Sequence, residues 1–246
     1  MTSSCLDVAT YNIRLGIQQG LQSVADVLLS ACIPDIVAVQ EIGDHWRMGP
    51  EGNCVARLSR LLDLPYRAYA PTIEESVGPG ETSRYGHALF SRWPIETCRI
   101  IELPQRIDEP RALLSCRIVT PDTQMEFVST HLSHRDADRP EQGQFLRRWL
   151  REHNDDAPIR FLLGDLNTPP DESWLSSLIC DWTDADAALE RPTFPAHAPC
   201  RRIDYILATG KSLHLHSTDV PQAPLASDHL PLITRWKLPS GARRKS

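Results

Sequence analysis

The 246-residue sequence has no surplus of positive charge, no long apolar run and no paired-cysteine motif, and each absence removes a class of function. Lysine and arginine total 26 against 32 acidic residues, a formal net charge of −6. Gripping nucleic acid by bulk charge needs a basic stripe or patch, so that mode is not favoured, although nucleic acid stays possible as a substrate. No stretch approaches the roughly 20 apolar residues of a membrane span, and Met1-Thr2-Ser3-Ser4-Cys5 lacks the basic and apolar regions of an export signal. A soluble, cytoplasmic chain is expected. The seven cysteines, at 5, 32, 54, 98, 116, 180 and 200, form no CxxC pair and have no histidine at zinc-finger spacing, which suits reduced thiols filling the core. There is no internal repeat, low-complexity linker or composition break, so one domain is expected over 1–240, followed by a polar tail at 241–246. Nothing in the sequence speaks to oligomeric state.

What is present is an alternation of strand and helix patterns. Leu6, Val8 and Thr10 to Ile13 read as a strand, and Leu21, Val24, Val27, Leu28 and Ala31 recur at helical spacing. Ile36 to Val39 then reads as a buried strand, and Val55, Leu58, Leu61 and Leu62 as a helix ending near Pro65. Residues 71 to 83, with Gly78-Pro79-Gly80, read as a surface loop. Between 86 and 132 come strand patterns at Gly86–Arg92, Cys98–Leu103, Leu113–Val119 and Met125–Leu132, which implies antiparallel pairing. A helix from Glu141 to His153 turns Phe145, Leu146, Trp149 and Leu150 inward, and its outward Arg147, Arg148 and Arg151 read as a solvated face. A short helix holds Trp174, Leu175, Leu178 and Ile179, and the last strands are Ile203–Leu207 and Leu232–Trp236. This mixture suggests two packed sheets with helices outside, a layered α/β sandwich.

Polar residues stand where these strands end. Gly164-Asp165-Leu166-Asn167 directly follows the apolar run Ile159 to Leu163, and the pleat aims Asp165 and Asn167 to one side of the strand tip. Alone, such a box is as well explained by an Asx turn in which Asp165 caps backbone N–H groups. It is not alone: Asn12 ends the first strand, Glu41 follows Val37 to Gln40, and His131 ends Phe127 to Thr130. Asp204 lies in Arg202-Ile203-Asp204-Tyr205-Ile206, and Asp228-His229 precedes the final strand.

These segments resemble the endonuclease/exonuclease/phosphatase family of metal-dependent phosphoesterases. The resemblance rests on Tyr-Asn-Ile at 11–13, Val-Gln-Glu at 39–41, Tyr-Gly-His-Ala-Leu-Phe-Ser-Arg at 85–92 and Ser-Thr-His-Leu at 129–132. It continues through Gly-Asp-Leu-Asn at 164–167, Arg-Ile-Asp-Tyr-Ile at 202–206 and Ser-Asp-His-Leu-Pro at 227–231, in the family's order. It implies the DNase I-like four-layered α-β-β-α sandwich, with two mixed, mainly antiparallel sheets flanked by helices.

Carboxylates and amide carbonyls without a cysteine or histidine cage are hard oxygen ligands, suited to Mg²⁺, with Mn²⁺ a plausible substitute. Glu41 is the expected principal ligand; the resemblance sets Asn12 beside it and lets Asp228 complete the shell. Hydrolysis of a phosphate ester needs charge neutralisation, a positioned nucleophile and a stabilised leaving oxygen. By resemblance, Asp204 orients His229, Asp165 orients the attacking water, Asn167 binds a phosphoryl oxygen and His131 donates to the opposite one. Either His229 or Asp165 takes the water proton. Arg111 is the candidate for bidentate phosphate recognition. His87 stands where the family commonly has Asn or Glu, as a support for His131 or a further phosphate contact. Arg14 replaces a second acidic residue found in some repair nucleases.

The expected activity is hydrolysis of a phosphodiester by metal-assisted, in-line attack of water on phosphorus. The alternatives are a phosphomonoesterase acting on a small molecule or lipid headgroup, and a binding module that kept the fold without turnover. The loops expected to border the cleft are 43–53, 71–84, 104–110, 133–140 and 168–200.

Overall fold

Strand alternation decides which residues face which layer. The computed structural model of the protein describes residues 5–153, 157–211, 213–223 and 225–238; the polar tail at 241–246 lies outside them. One sheet is built from β1 (Cys5–Asn12), β2 (Ile36–Asp44), β3 (Tyr66–Gly78), β4 (Glu81–Ser91), β11 (His214–Asp219) and β12 (Leu232–Lys237), in the order β11-β12-β1-β2-β4-β3. The other comprises β5 (Ile95–Glu102), β6 (Ala112–Val119), β7 (Gln124–His131), β8 (Ile159–Asp165), β9 (Thr183–Asp184) and β10 (Asp204–Gly210), in the order β5-β6-β7-β8-β10-β9. Each sheet has one parallel pair at its centre: β1 with β2, joined through α1 (Gly20–Ala31), and β7 with β8, joined through α3 (Arg139–Glu152). The remaining pairings are antiparallel.

Leu6 and Val8 of β1 point between the sheets, where they join Ile36, Ala38 and Leu89 against Leu114, Phe127, Phe161 and Ile206 of the opposite sheet. Ala9, Tyr11 and Ile13 point outward onto Leu21, Val24 and Leu28 of α1 and onto Val55 and Leu58 of α2 (Cys54–Leu61). The second sheet repeats the scheme: Val128, Leu162 and Leu207 pack on Leu146, Trp149 and Leu150 of α3 and on Trp174 and Leu175 of α4 (Ser173–Ile179). Three apolar layers between four structural layers make the α-β-β-α sandwich. Asn53 starts α2 by accepting the Ala56 N–H at 2.7 Å, a side-chain cap that satisfies a donor otherwise without a helical partner.

The reading of 71–83 as a surface loop is corrected. Residues 66–78 and 81–91 form a long antiparallel hairpin whose turn is confined to Pro79 and Gly80. β3 sits at a sheet edge with mostly exposed or half-buried residues, so it lacks the apolar alternation that marks a strand. β11, with sequence His-Leu-His-Ser-Thr-Asp, is likewise a polar edge strand. Among the described residues, no helix is long and apolar enough to cross a membrane.

Candidate active site

The inter-sheet core runs out at one end, and polar side chains take over on the same inner faces. Along β8, Ile159, Phe161 and Leu163 belong to the inter-sheet core, and the next residue of that parity is Asp165. The same parity carries β7 from Phe127 through Ser129 to His131 and β10 from Ile206 back to Asp204. Register places all three on one rung, with His131 opposite Asp165 and Asp165 opposite Asp204. The ladder continues one bond further, Leu132 N–H to Asp165 O and Leu166 N–H to Ile203 O, both 2.9 Å, so the rung does not sit on a fraying end.

Gly164 is required here by the backbone. Its φ of +141° is unfavourable for side-chain-bearing residues, and a Cβ would lie 2.0 Å from the Thr130 carbonyl oxygen of β7. Asp165 then divides its two oxygens. Oδ1 accepts the Asn167 N–H at 2.9 Å, the Asx turn foreseen for an isolated box. Oδ2 faces the site, accepting from Asn12 Nδ2 at 3.0 Å and lying 3.4 Å from His131 Nε2 and 3.6 Å from His229 Nε2. Turn cap and site residue are one side chain. Asn167, with φ 49°, gives its own amide to the Leu132 carbonyl at 2.9 Å.

The first sheet supplies Asn12 and Glu41. On β2, Val37 and Val39 face the helices and strict alternation would send Glu41 after them, yet the helix-facing role passes to Ile42. The cause is a break in register against β4 between Val39 and Ile42, with Glu41 in the left-handed region at φ 54°. This bulge is an inserted residue that re-aims a side chain. Glu41 Oε1 then accepts from Asn12 Nδ2 at 3.0 Å, so the Asn12 amide bridges Glu41 and Asp165 across the sheets. Asn12 Oδ1 accepts the Arg14 N–H at 3.1 Å and supports a turn in which Arg14, Leu15 and Gly16 all have positive φ. Two side-chain-bearing residues in succession there, Arg14 and Leu15, are costly and mark a segment held by its surroundings. Arg14 reaches to 3.5 Å from Asp228.

His229 enters from the segment before β12. Its Nδ1 lies 2.9 Å from Asp204 Oδ2, which also accepts from the Thr193 hydroxyl. The Phe194 ring lies 4.7 Å from the imidazole, centre to centre. Two backbone bonds of 2.7 Å, Leu230 N–H to Thr193 O and Ala196 N–H to Asp228 O, strap 193–196 along 228–230. Ser227 Oγ donates to the Asn12 carbonyl at 2.8 Å and ties this segment to β1.

Electrostatics follow from burial and neighbours. Burial works against the charged form of His229, but Asp204 and Asp165 outweigh it and raise its pKa to about 10. Burial pushes Asp165 up, supported by the Asp204 charge and opposed by His229 and by the Asn12 and Asn167 hydrogen bonds. His131 is pushed well below the usual histidine range by burial and then by the Arg111 charge. His87, 2% exposed, is lowered to about 4 by burial, against the hydrogen bond it makes with the Ser129 backbone and together with the Arg111 charge. Its Nε2 is buried without a hydrogen-bond partner.

Asn12, Glu41, His131, Asp165, Asn167, Asp204 and His229 are thus brought together or linked by direct contacts, while Asp228 joins through Ser227 and Arg14. Arg111 is buried, with NH2 2.9 Å from Glu109 and 3.8 Å from Asp108, and its charge acts on His131 and His87. Thr193 was not among the expected site residues, although Thr193-Phe194-Pro195 stands close before Arg202-Ile203-Asp204 in the sequence. Tyr85 was missed as well; burial, and then the nearby charges of Glu41 and Glu109, push its phenol far upward.

Two donor sets could hold a metal ion. Asp165, Asp204 and His229 offer ligand atoms all within 4.8 Å of one another. In this arrangement His229 Nδ1 is committed to Asp204, which suits proton handling better than ligation. The half-buried Glu41 carboxylate suits a hard cation by donor chemistry; in this arrangement Asn12 turns its Nδ2 to Glu41 and its oxygen to the Arg14 N–H, and Asp228 contacts Arg14 and Ser227. Asp204 Oδ1 is buried without a hydrogen-bond partner, while Oδ2 takes both His229 and Thr193.

The profile of the Endonuclease/Exonuclease/phosphatase family matches residues 9–229. The chain is 32% identical over 216 residues to the uncharacterized protein YbhP of Escherichia coli K12, covering 80% of this chain and 81% of that protein. Among solved structures, an endonuclease/exonuclease/phosphatase from Beutenbergia cavernae superposes with TM-score 0.78 at 24% identity, covering 95% of this chain and 72% of that one. A truncated Caenorhabditis elegans TDP2 gives TM-score 0.71 at 19% identity, covering 95% and 98%. A mannosyl-6-phosphatase of Bacteroides thetaiotaomicron gives 0.72 at 16% identity, covering 95% and 100%.

Proposed function

Because the chain belongs to the endonuclease/exonuclease/phosphatase family, we propose that it is a Mg²⁺-dependent phosphoesterase, with phosphodiesters as its leading substrate class. The observation that carries the reading is the buried array His131–Asp165–Asp204 on one rung, joined by His229 through a 2.9 Å contact to Asp204. Asp204 fixes the imidazole through Nδ1, which turns Nε2 toward Asp165 and the space where a proton would be exchanged. Asp165, with Oδ1 held by Asn167, orients the attacking water through Oδ2. His131 and Asn167 contact phosphoryl oxygens from the second sheet. Glu41 would hold the cation, with Asn12 and Asp228 completing its surroundings. When bound, that ion supplies charge neutralisation at the phosphoryl group.

Monoester hydrolysis is the second reading, favoured by the partly exposed Arg14 beside Asp228, a cation suited to the additional charge of a terminal phosphate. The structural neighbour named a mannosyl-6-phosphatase carries its activity on the same fold. The acidic balance of the chain argues against long polyanions as the preferred substrate. A matched panel of duplex DNA, single-stranded DNA, RNA, phospholipids and sugar phosphates, assayed with Mg²⁺ and with chelator, separates these readings. Turnover of a diester class above all monoesters supports the leading one. Metal binding without hydrolysis of any member indicates a binding module.

A further inference from the structure

Two of the seven cysteines face one another away from the candidate site. Cys98 on β5 and Cys116 on β6 are direct register partners, with their sulfurs 2.8 Å apart. Directly opposed residues of an antiparallel pair have Cα atoms about 4.5–5.5 Å apart, inside the roughly 4.4–6.8 Å that a disulfide spans. The pair therefore needs no backbone movement to close.

Their surroundings differ in the way a redox pair requires. Cys98 is exposed on an edge strand, whereas Cys116 is buried in the inter-sheet core beside Leu114 and Phe127. The hydrogen bond from Cys116 lowers the Cys98 pKa, while that shared proton and burial raise Cys116. An accessible thiol favoured as thiolate beside a shielded resolving thiol is the arrangement from which disulfide exchange proceeds.

We propose that Cys98 and Cys116 form a reversible dithiol–disulfide pair that exchanges with low-molecular-weight disulfides of the glutathione type. The Cys98 thiolate attacks one sulfur of glutathione disulfide, forming a mixed disulfide and expelling one glutathione thiolate. Cys116 gives its proton to that thiolate and attacks the Cys98 sulfur, expelling the second glutathione, which takes a proton from water. The Cys98 proton was lost to water at the outset, so protons balance. Two protein thiols are oxidised and one glutathione disulfide is reduced to two thiols. The bond closes the β5–β6 hairpin below the connection 103–111, which carries Asp108, Glu109 and Arg111.

The test treats the folded full-length protein with glutathione disulfide, quenches with iodoacetamide under denaturing conditions and digests with trypsin without reductant. The expected result is a cross-linked pair joining Trp93–Arg99 to Ala112–Arg117, with two fewer of the seven cysteines alkylated and full reversal by dithiothreitol. Cys98→Ser should abolish the cross-link, and because Cys98 is exposed this variant should fold. Cys116→Ser should instead retain glutathione on Cys98. Alkylation of all cysteines after treatment, a mixed disulfide on Cys98 that never resolves in the wild type, or a cross-link between other cysteines would overturn the proposal. None of these readouts depends on hydrolytic activity, so they are separate from the proposed function.

Discussion

Asp204, at the start of β10, and His229, in the segment that leads into β12 of the other sheet, meet through Asp204 Oδ2 and His229 Nδ1 at 2.9 Å. The contact depends on long-range pairing, because Asp204 opens β10 while residues 228–230 around His229 are bonded to the strap at 193–196. If Asp204 orients the imidazole, Asp204→Asn should lower kcat by about 10²–10⁴-fold with little change in KM. Its effect should not add to that of His229→Ala, because the two act as one unit. Steady-state kinetics of both single variants and the double variant on one substrate would check this; fully additive losses would separate the residues.

Gly164→Ala tests the backbone at the Asp165 strand tip. The added Cβ would meet the Thr130 carbonyl and the backbone would be held at φ +141°. A loss of about 2–4 kcal/mol in urea-unfolding free energy is expected, in the range for backbone strain combined with a core clash. An unfolding curve that overlays the wild type would contradict the stated role of Gly164.

His87 links stability to pH. An unfolded histidine titrates near 6.5 and buried His87 near 4, so between these values the unfolded chain binds more protons. The contribution is complete above about pH 6.5 and is lost as pH falls toward 4, on the order of 3 kcal/mol. His87→Gln should flatten that part of the stability profile, measured by urea unfolding at several pH values, whatever it does to the absolute stability. An unchanged slope would show that His87 does not carry this linkage.

Phe194→Ala removes the ring that lies against His229 without removing a polar group of the array. The imidazole then loses one wall of its slot, and kcat should fall about 10-fold, by the cost of slight misplacement of a catalytic group. Thr193→Val, which takes away a hydroxyl donor to Asp204, should act in the same direction. Activity equal to wild type in both variants would confine the strap to a structural role.

Much of this arrangement was legible because the polar residues interrupt apolar strands. Asn12, His131, Asp165 and Asp204 all lie on the parity of an inward-facing strand, so the pleat alone aims them into the gap between sheets. Glu41 has the opposite parity, and only the bulge between Val39 and Ile42 turns it inward; no local pattern announces that bulge. β3 and β11 escaped notice because these edge strands are mostly exposed or half-buried and so lack the apolar alternation that marks a strand. Thr193 was illegible for another reason: its role depends on backbone bonds to residues 228–230, a long-range pairing. Arg111 lies buried on its sequence neighbours Glu109 and Asp108, and its charge is felt by His131 and His87; that proximity to the site comes from the fold and not from the local sequence.

The most direct measurement is the initial rate of aryl phosphodiester hydrolysis, with Mg²⁺ and with excess chelator, for the wild type and for folded Glu41→Ala and His229→Ala variants. The wild type should turn over with Mg²⁺ and stop with chelator, and both variants should be nearly inactive while retaining the wild-type circular dichroism spectrum. Undiminished hydrolysis by His229→Ala, or by the wild type in chelator, would contradict a metal-assisted site built on Glu41 and the Asp204–His229 pair.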